Sequence, residues 1–437
     1  MKNTENNFQV AIIGLGYVGL PTAISFHEAG FNTVGIDISE SIIQNLKNGE
    51  SHLIEENNVL EIPVNSSRWE VSTDFTIIEN SDIILITVPT PVTKENRPNL
   101  EFVKSACDSV LNYIKKGALI VLESTVYPGV TREILTEIGA KKGLVIGTDF
   151  SFAYSPERVS PGDIGKSSSE VAKIVGMDNK EKGIWLAEIY SKITTGGSTY
   201  VGSPEVAEAA KLIENTQRDI DIAFVNELAI ILPMMGLDVG DVLSAADTKW
   251  NFHKHTPGIG IGGHCIPVDP YFYIEISEKL GFKSKISTAA REINVHIEEI
   301  ASNQIINLIK KYDFKSVIFL GYSYKPNVGD VRETPVRNIT NTIFQATKIK
   351  PLVWDPLVDK KNYPNWIINC EDPYEITNDS LIVISTAHNA VLNLSYQSLG
   401  SRFSNRVIYD GRRVLEDLKD FQKNDWDIYA IGKPGIN

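Results

Sequence analysis

Short runs of β-branched and aliphatic residues punctuate the first part of the chain at Val10–Ile13, Thr33–Ile36, Ile83–Val88 and Ala118–Leu122. Their alternation with amphipathic stretches predicts βαβ units around a parallel sheet. From Pro204 the period changes: Val206, Ala209, Ala210, Ile213, Thr216, Gln217, Ile220, Phe224 and Leu228 recur at helical spacing. That spacing predicts a long central helix, followed by further helices up to about Lys310. Strand-like runs resume at Val317–Leu320, Pro351–Trp354, Leu381–Ser385 and Arg406–Tyr409. The expected fold class is α/β, with two Rossmann-like, doubly wound parallel-sheet domains joined by the long central helix and a helical connector. The expected domain boundaries are 1–203, 204–310 and 311–437. The two ends share one texture, as a duplicated fold would.

Composition narrows the class. At 437 residues, the chain is long enough for two or three domains of roughly 100 to 200 residues each. Its formal net charge of −13 argues against nonspecific binding to nucleic acid or to an anionic membrane surface, so an anionic ligand must meet locally placed cations. Three cysteines without C-x-x-C spacing indicate neither a disulfide framework nor a zinc site, and no metal is expected. Sparse cysteine fits a reducing cytoplasm. Met1–Asn7 lacks the basic and apolar regions of a secretion signal, and no run approaches the roughly 18 apolar residues of a spanning helix.

The first motif with chemistry is Gly14-Leu15-Gly16-Tyr17-Val18-Gly19, directly after a strand-like run and before a helix-like stretch. In that context it reads as a dinucleotide fingerprint. Gly14 permits the tight turn, Gly16 clears the approach of a pyrophosphate, and Gly19 lets helix and strand pack closely. Asp37, at the end of the second strand-like run, is placed to accept from ribose hydroxyls and would repel a 2′-phosphate. NAD is therefore the expected cofactor.

The second motif is Gly260-Ile261-Gly262-Gly263-His264-Cys265-Ile266-Pro267-Val268-Asp269-Pro270. A free cysteine is commonly an inert apolar residue, the reading given to Cys107 and Cys370. Cys265 differs, because glycines leave room for a bulky ligand to approach its sulfur, and it reads as a nucleophile. Asp269 either orients a catalytic group or a water, or caps the following turn. Lys211 and Asn215 lie four apart on the predicted central helix and share a face, with Arg218 three further on. Their apolar surroundings favour an anion or oxyanion site over a solvated lysine.

Six segments, in order, carry a resemblance: G-L-G-Y-V-G at Gly14, E-S-T-V-Y-P-G at Glu123, S-P-E-R-V at Ser155, A-E-A-A-K-L-I-E-N-T-Q-R-D at Ala207, G-G-H-C-I-P-V-D-P at Gly262 and K-P-N-V-G-D-V-R at Lys325. Along nearly its whole length the chain resembles the UDP-glucose/GDP-mannose dehydrogenase family. Within it, G-G-H-C, E-N-T-Q-R-D and Thr248–Phe252 resemble the branch acting on UDP-N-acetylglucosamine or UDP-N-acetylgalactosamine for Vi-type and related surface polysaccharides.

The resemblance implies a four-electron oxidation of a sugar C6 hydroxyl to a carboxylate with two NAD. Cys265 would carry a thiohemiacetal and then a thioester, Lys211 would stabilise the oxyanion, and Asn215 would help hold that oxygen or the sugar. Glu157 would act in acid–base steps and thioester hydrolysis, while Thr125 and Asp269 would position water or the lysine. Gly14, Gly16, Tyr17, Val18, Gly19, Asp37, Thr90, Ser124, Thr125, Val126 and Arg332 fall on the cofactor side. Glu157, Arg158, Val159, Lys211, Asn215, Arg218, Gly262, Gly263, His264, Tyr324, Lys325 and Arg412 fall on the UDP-N-acetylhexosamine side. A homodimer through the central helix is also implied.

The chain departs from the UDP-glucose pattern at Pro257-Gly258, where an arginine reaching the partner's sugar is missing, and at Val268, where lysine is frequent. Arg218 and His264 are candidates for contacts near the N-acetyl or hydroxyl groups, with a backbone-bonded loop histidine as the alternative for His264. UDP-N-acetylmannosamine and UDP-glucose remain alternative substrates. A one-hydride hydroxyacid dehydrogenase and a nonenzymatic nucleotide-sugar sensor are the rival classes.

Overall fold

The computed structural model describes residues 8–53, 60–158, 170–376, 379–415 and 426–435. The chain divides into two compact units. The first ends at Glu214 and also takes in Tyr271–Phe282, whereas the second comprises Asn215–Pro270 and the chain from Lys283 onward.

Among the described residues, the first unit holds eight strands: β1 (Gln9–Ile13), β2 (Asn32–Ile36), β3 (Trp69–Ser72), β4 (Ile83–Ile86), β5 (Ala118–Leu122), β6 (Phe150–Tyr154), β7 (Lys173–Gly176) and β8 (Ser198–Gly202). They form one sheet in the order β3-β2-β1-β4-β5-β6-β7-β8, parallel except between β6 and β7. Helices α1 (Gly19–Glu28), α2 (Glu40–Lys47), α3 (Glu101–Val110), α4 (Val130–Lys141) and α5 (Lys180–Tyr190) complete the unit's α/β pattern. Successive strand residues point to opposite faces, so Ala11 and Ile13 join one core cluster while Val10 and Ile12 join another. Both faces are therefore buried, which is why the central strands read as continuous apolar runs. Strands β3, β6, β7 and β8 mix polar with apolar residues and escape that pattern.

The second unit holds β9 (Val317–Leu320), β10 (Leu352–Trp354), β11 (Ile368–Asn369), β12 (Leu381–Ile384), β13 (Val407–Asp410) and β14 (Asp427–Ala430). Its sheet is parallel throughout, in the order β11-β10-β9-β12-β13-β14. Both sheets thus contain the doubly wound order in which a ligand crevice opens at the reversal, beside β1 and β4 in one and β9 and β12 in the other.

The predicted central helix is α6 (Pro204–Met234), followed by α7 (Val239–Ala246), α8 (Asp269–Lys279), α9 (Lys285–Lys311) and α10 (Pro335–Thr347). Pro204 opens α6 where its missing N–H is not needed, and Gly236, with φ +76°, lies just beyond its end. The boundary between the units falls inside α6 and again inside α8. The buried face of α6 carries Ala207, Glu208, Lys211, Leu212, Thr216, Asp219 and Ala223. Part of the predicted apolar stripe points outward instead, with Val206 at 50%, Ile213 at 57% and Phe224 at 55% exposure. Among the described residues, no helix is long and apolar enough to cross a membrane.

The two units repeat one device at the first strand end. Gly14 (φ +91°) donates its N–H to Ile36 O, and the Thr87 hydroxyl donates to Gly14 O at 2.7 Å. Gly321 (φ +97°) likewise donates to Trp354 O, and the Ser385 hydroxyl donates to Gly321 O at 2.6 Å. A Cβ at Gly321 would collide with Thr386, besides carrying the strain of a left-handed backbone. Gly321→Ala should therefore destabilise the protein by about 2 kcal/mol, read from the denaturant midpoint.

Candidate active site

The dinucleotide loop follows β1. A Cβ at Gly19 would strike the Gly14 carbonyl and the Thr87 hydroxyl, whereas one at Gly16 would meet nothing within 4 Å. Gly19 is thus required for packing, and Gly16 faces the open space that a pyrophosphate needs. The N-cap of α1, Val18, supplies no side-chain cap, so the helix end is left to an external anion. Asp37 follows β2; its Oδ2 accepts the Leu15 N–H and its Oδ1 the Ser39 N–H, both at 2.9 Å. Each oxygen retains a lone pair for a ribose hydroxyl. Ser124 is buried and donates to Val88 O at 2.6 Å, while Thr90 and Thr125 are half-buried. Val126 is fully buried in the apolar core, so its side chain serves packing. These residues fit NAD.

The same unit assembles an ionic cluster. Lys211, on α6, donates its Nζ to the Glu157 carbonyl at 2.6 Å. The Glu157 carboxylate accepts the Arg158 N–H through Oε1 (2.8 Å) and the Lys173 ammonium through Oε2 (3.0 Å). Lys173 also bonds Glu123 Oε2 at 3.2 Å, and the Tyr190 hydroxyl donates to Glu123 Oε1. Burial raises the Glu123 carboxyl against the opposing pull of Lys173. Burial pulls Lys173 down, but Glu123 and Glu157 outweigh it and hold the ammonium above its ordinary range. Arg158 is held by Glu214 (2.7 Å) and by Ala172 O (2.9 Å). Val159 lies outside the described residues.

The second unit carries the thiol. Cys265 is half-buried in the loop before α8, and its carbonyl accepts the N–H groups of Val268 and Asp269. Asp269 is 2% exposed and accepts the Asn215 amide at 2.5 Å. The glycines before the cysteine pack on a second loop: a Cβ at Gly262 or Gly263 would collide with Tyr324, and Gly263 donates its N–H to Arg332 O at 3.0 Å. Tyr324, Lys325 and Arg332 therefore share a loop that is bonded to the cysteine loop. Arg332 is forked onto Asp330, with Nη2 to Oδ2 at 2.5 Å. Arg412 donates to Ser385 O at 2.6 Å, and a Cβ at Gly258 would come within 3.0 Å of its guanidinium. Burial lowers Arg412 to about 10, partly countered by Asp410, so it stays cationic at neutral pH. His264 is half-buried beside Cys265, and Arg218 is exposed on α6.

Sequence reasoning missed Lys173, Tyr190 and the role of Glu123 in the first unit, and Asp355 and His388 in the second. His388 is fully buried, with Nε2 3.0 Å from Asp355 Oδ2 and from the Ser323 hydroxyl. Its Nδ1 accepts the Asn327 N–H at 2.9 Å, so the Tyr324–Asn327 segment is anchored from beneath. A lysine opening the apolar run Lys173-Ile174-Val175-Gly176 was the one available signal.

Residues 8–194, 205–296 and 318–417 match, respectively, the NAD binding, central and UDP binding domains of the UDP-glucose/GDP-mannose dehydrogenase family. The chain is 40% identical over 338 residues to Protein CapL of Staphylococcus aureus, covering 76% of this chain and 78% of that protein. It is 35% identical to the UDP-N-acetyl-D-glucosamine 6-dehydrogenase of Pseudomonas aeruginosa, covering 94% and 98%. The solved UDP-D-ManNAc dehydrogenase of Pyrococcus horikoshii superposes with a TM-score of 0.84 at 29% identity, covering 98% of this chain and 99% of that one.

The Asp37 geometry carries a prediction. Asp37→Ala removes the acceptor of two backbone N–H groups together with the carboxylate expected to face the ribose. NAD affinity measured by calorimetry should fall about 10- to 100-fold, with the secondary structure unchanged by circular dichroism.

Proposed function

The chain belongs to the UDP-glucose/GDP-mannose dehydrogenase family as an NAD-dependent nucleotide-sugar dehydrogenase of its UDP-N-acetylhexosamine 6-dehydrogenase group, and from that premise we propose that its substrate is UDP-N-acetylglucosamine or its C4 epimer, UDP-N-acetylgalactosamine. The observation that carries the chemistry is Cys265, a half-buried thiol on a glycine loop bonded to the Tyr324–Arg332 loop. The glucosamine reading draws on the G-G-H-C motif and on the Pseudomonas relative. UDP-N-acetylmannosamine is the second reading, supported by the Pyrococcus structure.

The net reaction converts the C6 alcohol, water and two NAD⁺ into the carboxylate, two NADH and three protons. When bound, each NAD accepts one hydride, which is why the four-electron oxidation consumes two. Within the chain, the Cys265 sulfur adds to the C6 aldehyde carbon, forming the C–S bond of a thiohemiacetal while the thiol proton ends on the new hydroxyl. Oxidation of that adduct gives a thioester. Glu157 takes a proton from the attacking water, the C–S bond breaks, and the thiol is regenerated with the uronic acid. Lys211 and Asn215 donate to the oxyanion that develops at C6, and Asp269 orients Asn215. Thr125 positions the water. Tyr324, Lys325 and Arg412 hold the UDP-sugar, aided by the Gly262–His264 backbone, Arg158, Val159 and Arg218. Arg412 beside Gly258 supplies, from the chain itself, a cation near the turn where the UDP-glucose pattern has its arginine.

In this reading residues 1–203 bind NAD, 204–310 form the dimerisation region and 311–437 bind the UDP-sugar. The outward stripe Val206, Ile213, Phe224 and Ile231 on α6 is the apolar surface that a homodimer would cover.

Incubation with NAD and a panel of UDP-N-acetylhexosamines and UDP-glucose tests the reaction by NADH yield and product mass. Two NADH per carboxylate are expected on an N-acetylhexosamine, and Cys265→Ala should lower that turnover at least ~10³-fold; one NADH per product, or normal turnover without the thiol, refutes the mechanism. Separately, the double substitution Phe224→Glu, Ile231→Glu should convert a dimer to a monomer in light scattering, and an unchanged mass would exclude α6 as the interface.

A further inference from the structure

Among the described residues, the junction between β6 and β7 is the one antiparallel step in the first unit's sheet, and its register pairs Tyr154 with Gly176. Continuing that register outward sets Lys173, the first residue of β7, opposite Glu157. The reversal therefore brings the start of β7 to the sheet end where β5 and β6 finish, and where Glu123 and Glu157 emerge. A buried lysine between two carboxylates follows from topology, with Tyr190 of α5 closing the far side: its hydroxyl bonds Glu123, and the Lys173 ammonium lies 5.0 Å from its ring centroid.

The cluster has a dry end and a wet end. Side-chain exposure is 0% for Glu123, 8% for Lys173 and 14% for Glu157, so proton exchange with a ligand or water falls to Glu157. Its two oxygens are fixed differently, Oε1 by the Arg158 N–H and Oε2 by Lys173. We infer that Lys173 is a positioning residue that holds the Glu157 carboxylate ionised and in one orientation, with Glu123 and Tyr190 as its buried counterweight; this deepens the proposed function, since it rests on Glu157 serving as the base. Among the described residues, the ionisable groups near Glu157 include Lys173 from β7, Glu123 after β5 and Tyr190 from α5, with Lys211 of α6 on its backbone carbonyl and the Arg158–Glu214 pair beyond.

Two substitutions push this arrangement in opposite directions. Lys173→Met leaves two buried carboxylates without the cation between them, so Glu157 should protonate at higher pH. Glu123→Gln leaves Lys173 with a single carboxylate, so Glu157 should protonate at lower pH. Lys173→Arg should keep the wild-type behaviour.

The first measurement needs no turnover: a pH titration of the carboxyl resonances in protein labelled with ¹³C at glutamate, with the Glu157 signal assigned by its loss in Glu157→Gln. The expected result is a midpoint displaced upward by about one unit or more in Lys173→Met and downward in Glu123→Gln. Coincident titrations in wild type and both variants would overturn the inference, and if Lys173→Met does not fold, Glu123→Gln and Lys173→Arg decide alone. The second measurement is kinetic. Thioester hydrolysis should slow ~10- to 100-fold in Lys173→Met, giving a burst of two NADH per active site before a slow steady state whose acid limb moves to higher pH. A lowered thermal midpoint with an unmoved pH profile would mark the lysine as merely structural. Failure of the proposed reaction shows separately, as wild-type protein that turns over no UDP-sugar while the carboxyl titration still responds to Lys173.

Discussion

A carboxylate at the end of the second strand, accepting backbone N–H groups just past the first, is the interaction on which the ligand-facing loops of both units depend. Asp37 does this for Leu15 in one sheet, and Asp355 does it for Tyr322 and Ser323 in the other. In each case the chain must turn sharply at a strand end that would otherwise leave buried amides unpaired, at a cost of roughly 1–3 kcal/mol per group. The acid satisfies those amides, a positive-φ glycine makes the turn, and a hydroxyl from the neighbouring strand satisfies the glycine carbonyl. With these three parts in place, the loop is stiff enough to present its remaining N–H groups to an anion.

The copies then diverge by what is laid over the acid. Asp37 is half-buried and keeps acceptor capacity toward solvent, as a ribose partner requires. Asp355 is sealed beneath His388, both side chains having no exposure, and its carboxyl lies below the ordinary range because the histidine and two backbone N–H groups outweigh the effect of burial. The Nδ1 atom of His388 accepts from Asn327, which leaves Nε2 as the protonated nitrogen facing Asp355. The same strand-end acid is thereby sealed off from ligand and serves, through His388, to anchor the Tyr324–Asn327 segment. One scaffold thus presents two kinds of nucleotide surface through a change at a single covering residue.

Much of this was legible in the sequence, for reasons that are local. The runs β1, β2, β4, β5, β9 and β12 are apolar because both their faces are covered, and Gly14 through Gly19, between a strand and a helix, carry the spacing of a dinucleotide turn. Cys265 stood out because a cysteine in so glycine-rich a loop is unlike a core cysteine, although Gly262 and Gly263 are in fact packed closely against Tyr324. The residues that stayed hidden act at long range. Lys173, Glu123 and Tyr190 are separated by up to 67 positions, and only the antiparallel reversal at β7 brings them together. Nothing in the run Lys173-Ile174-Val175-Gly176 specifies that reversal, because strand direction is set by connection and pairing. The outward apolar stripe of α6 was legible as periodicity, yet its side could not be assigned, because the buried face mixes Lys211, Thr216 and Asp219 among small apolar residues. A helix whose inner face is partly polar and whose outer face is partly apolar inverts the simple reading of amphipathicity.

That inversion bears on how an acidic chain handles anionic ligands. Spreading compensating lysines over the surface would raise the field everywhere and, screened by salt, would aim none of it. Several cations of the two units are instead held by fixed partners. Lys211 is tied to a carbonyl, Lys173 to two carboxylates, Arg332 to Asp330 and Arg412 to a backbone oxygen. Each such tie lowers the entropy lost when a ligand binds and fixes the direction of the positive charge. Net charge and local potential are thus separate design variables. The first is a property of the whole composition, and the second is set locally through burial and hydrogen bonding at the strand ends.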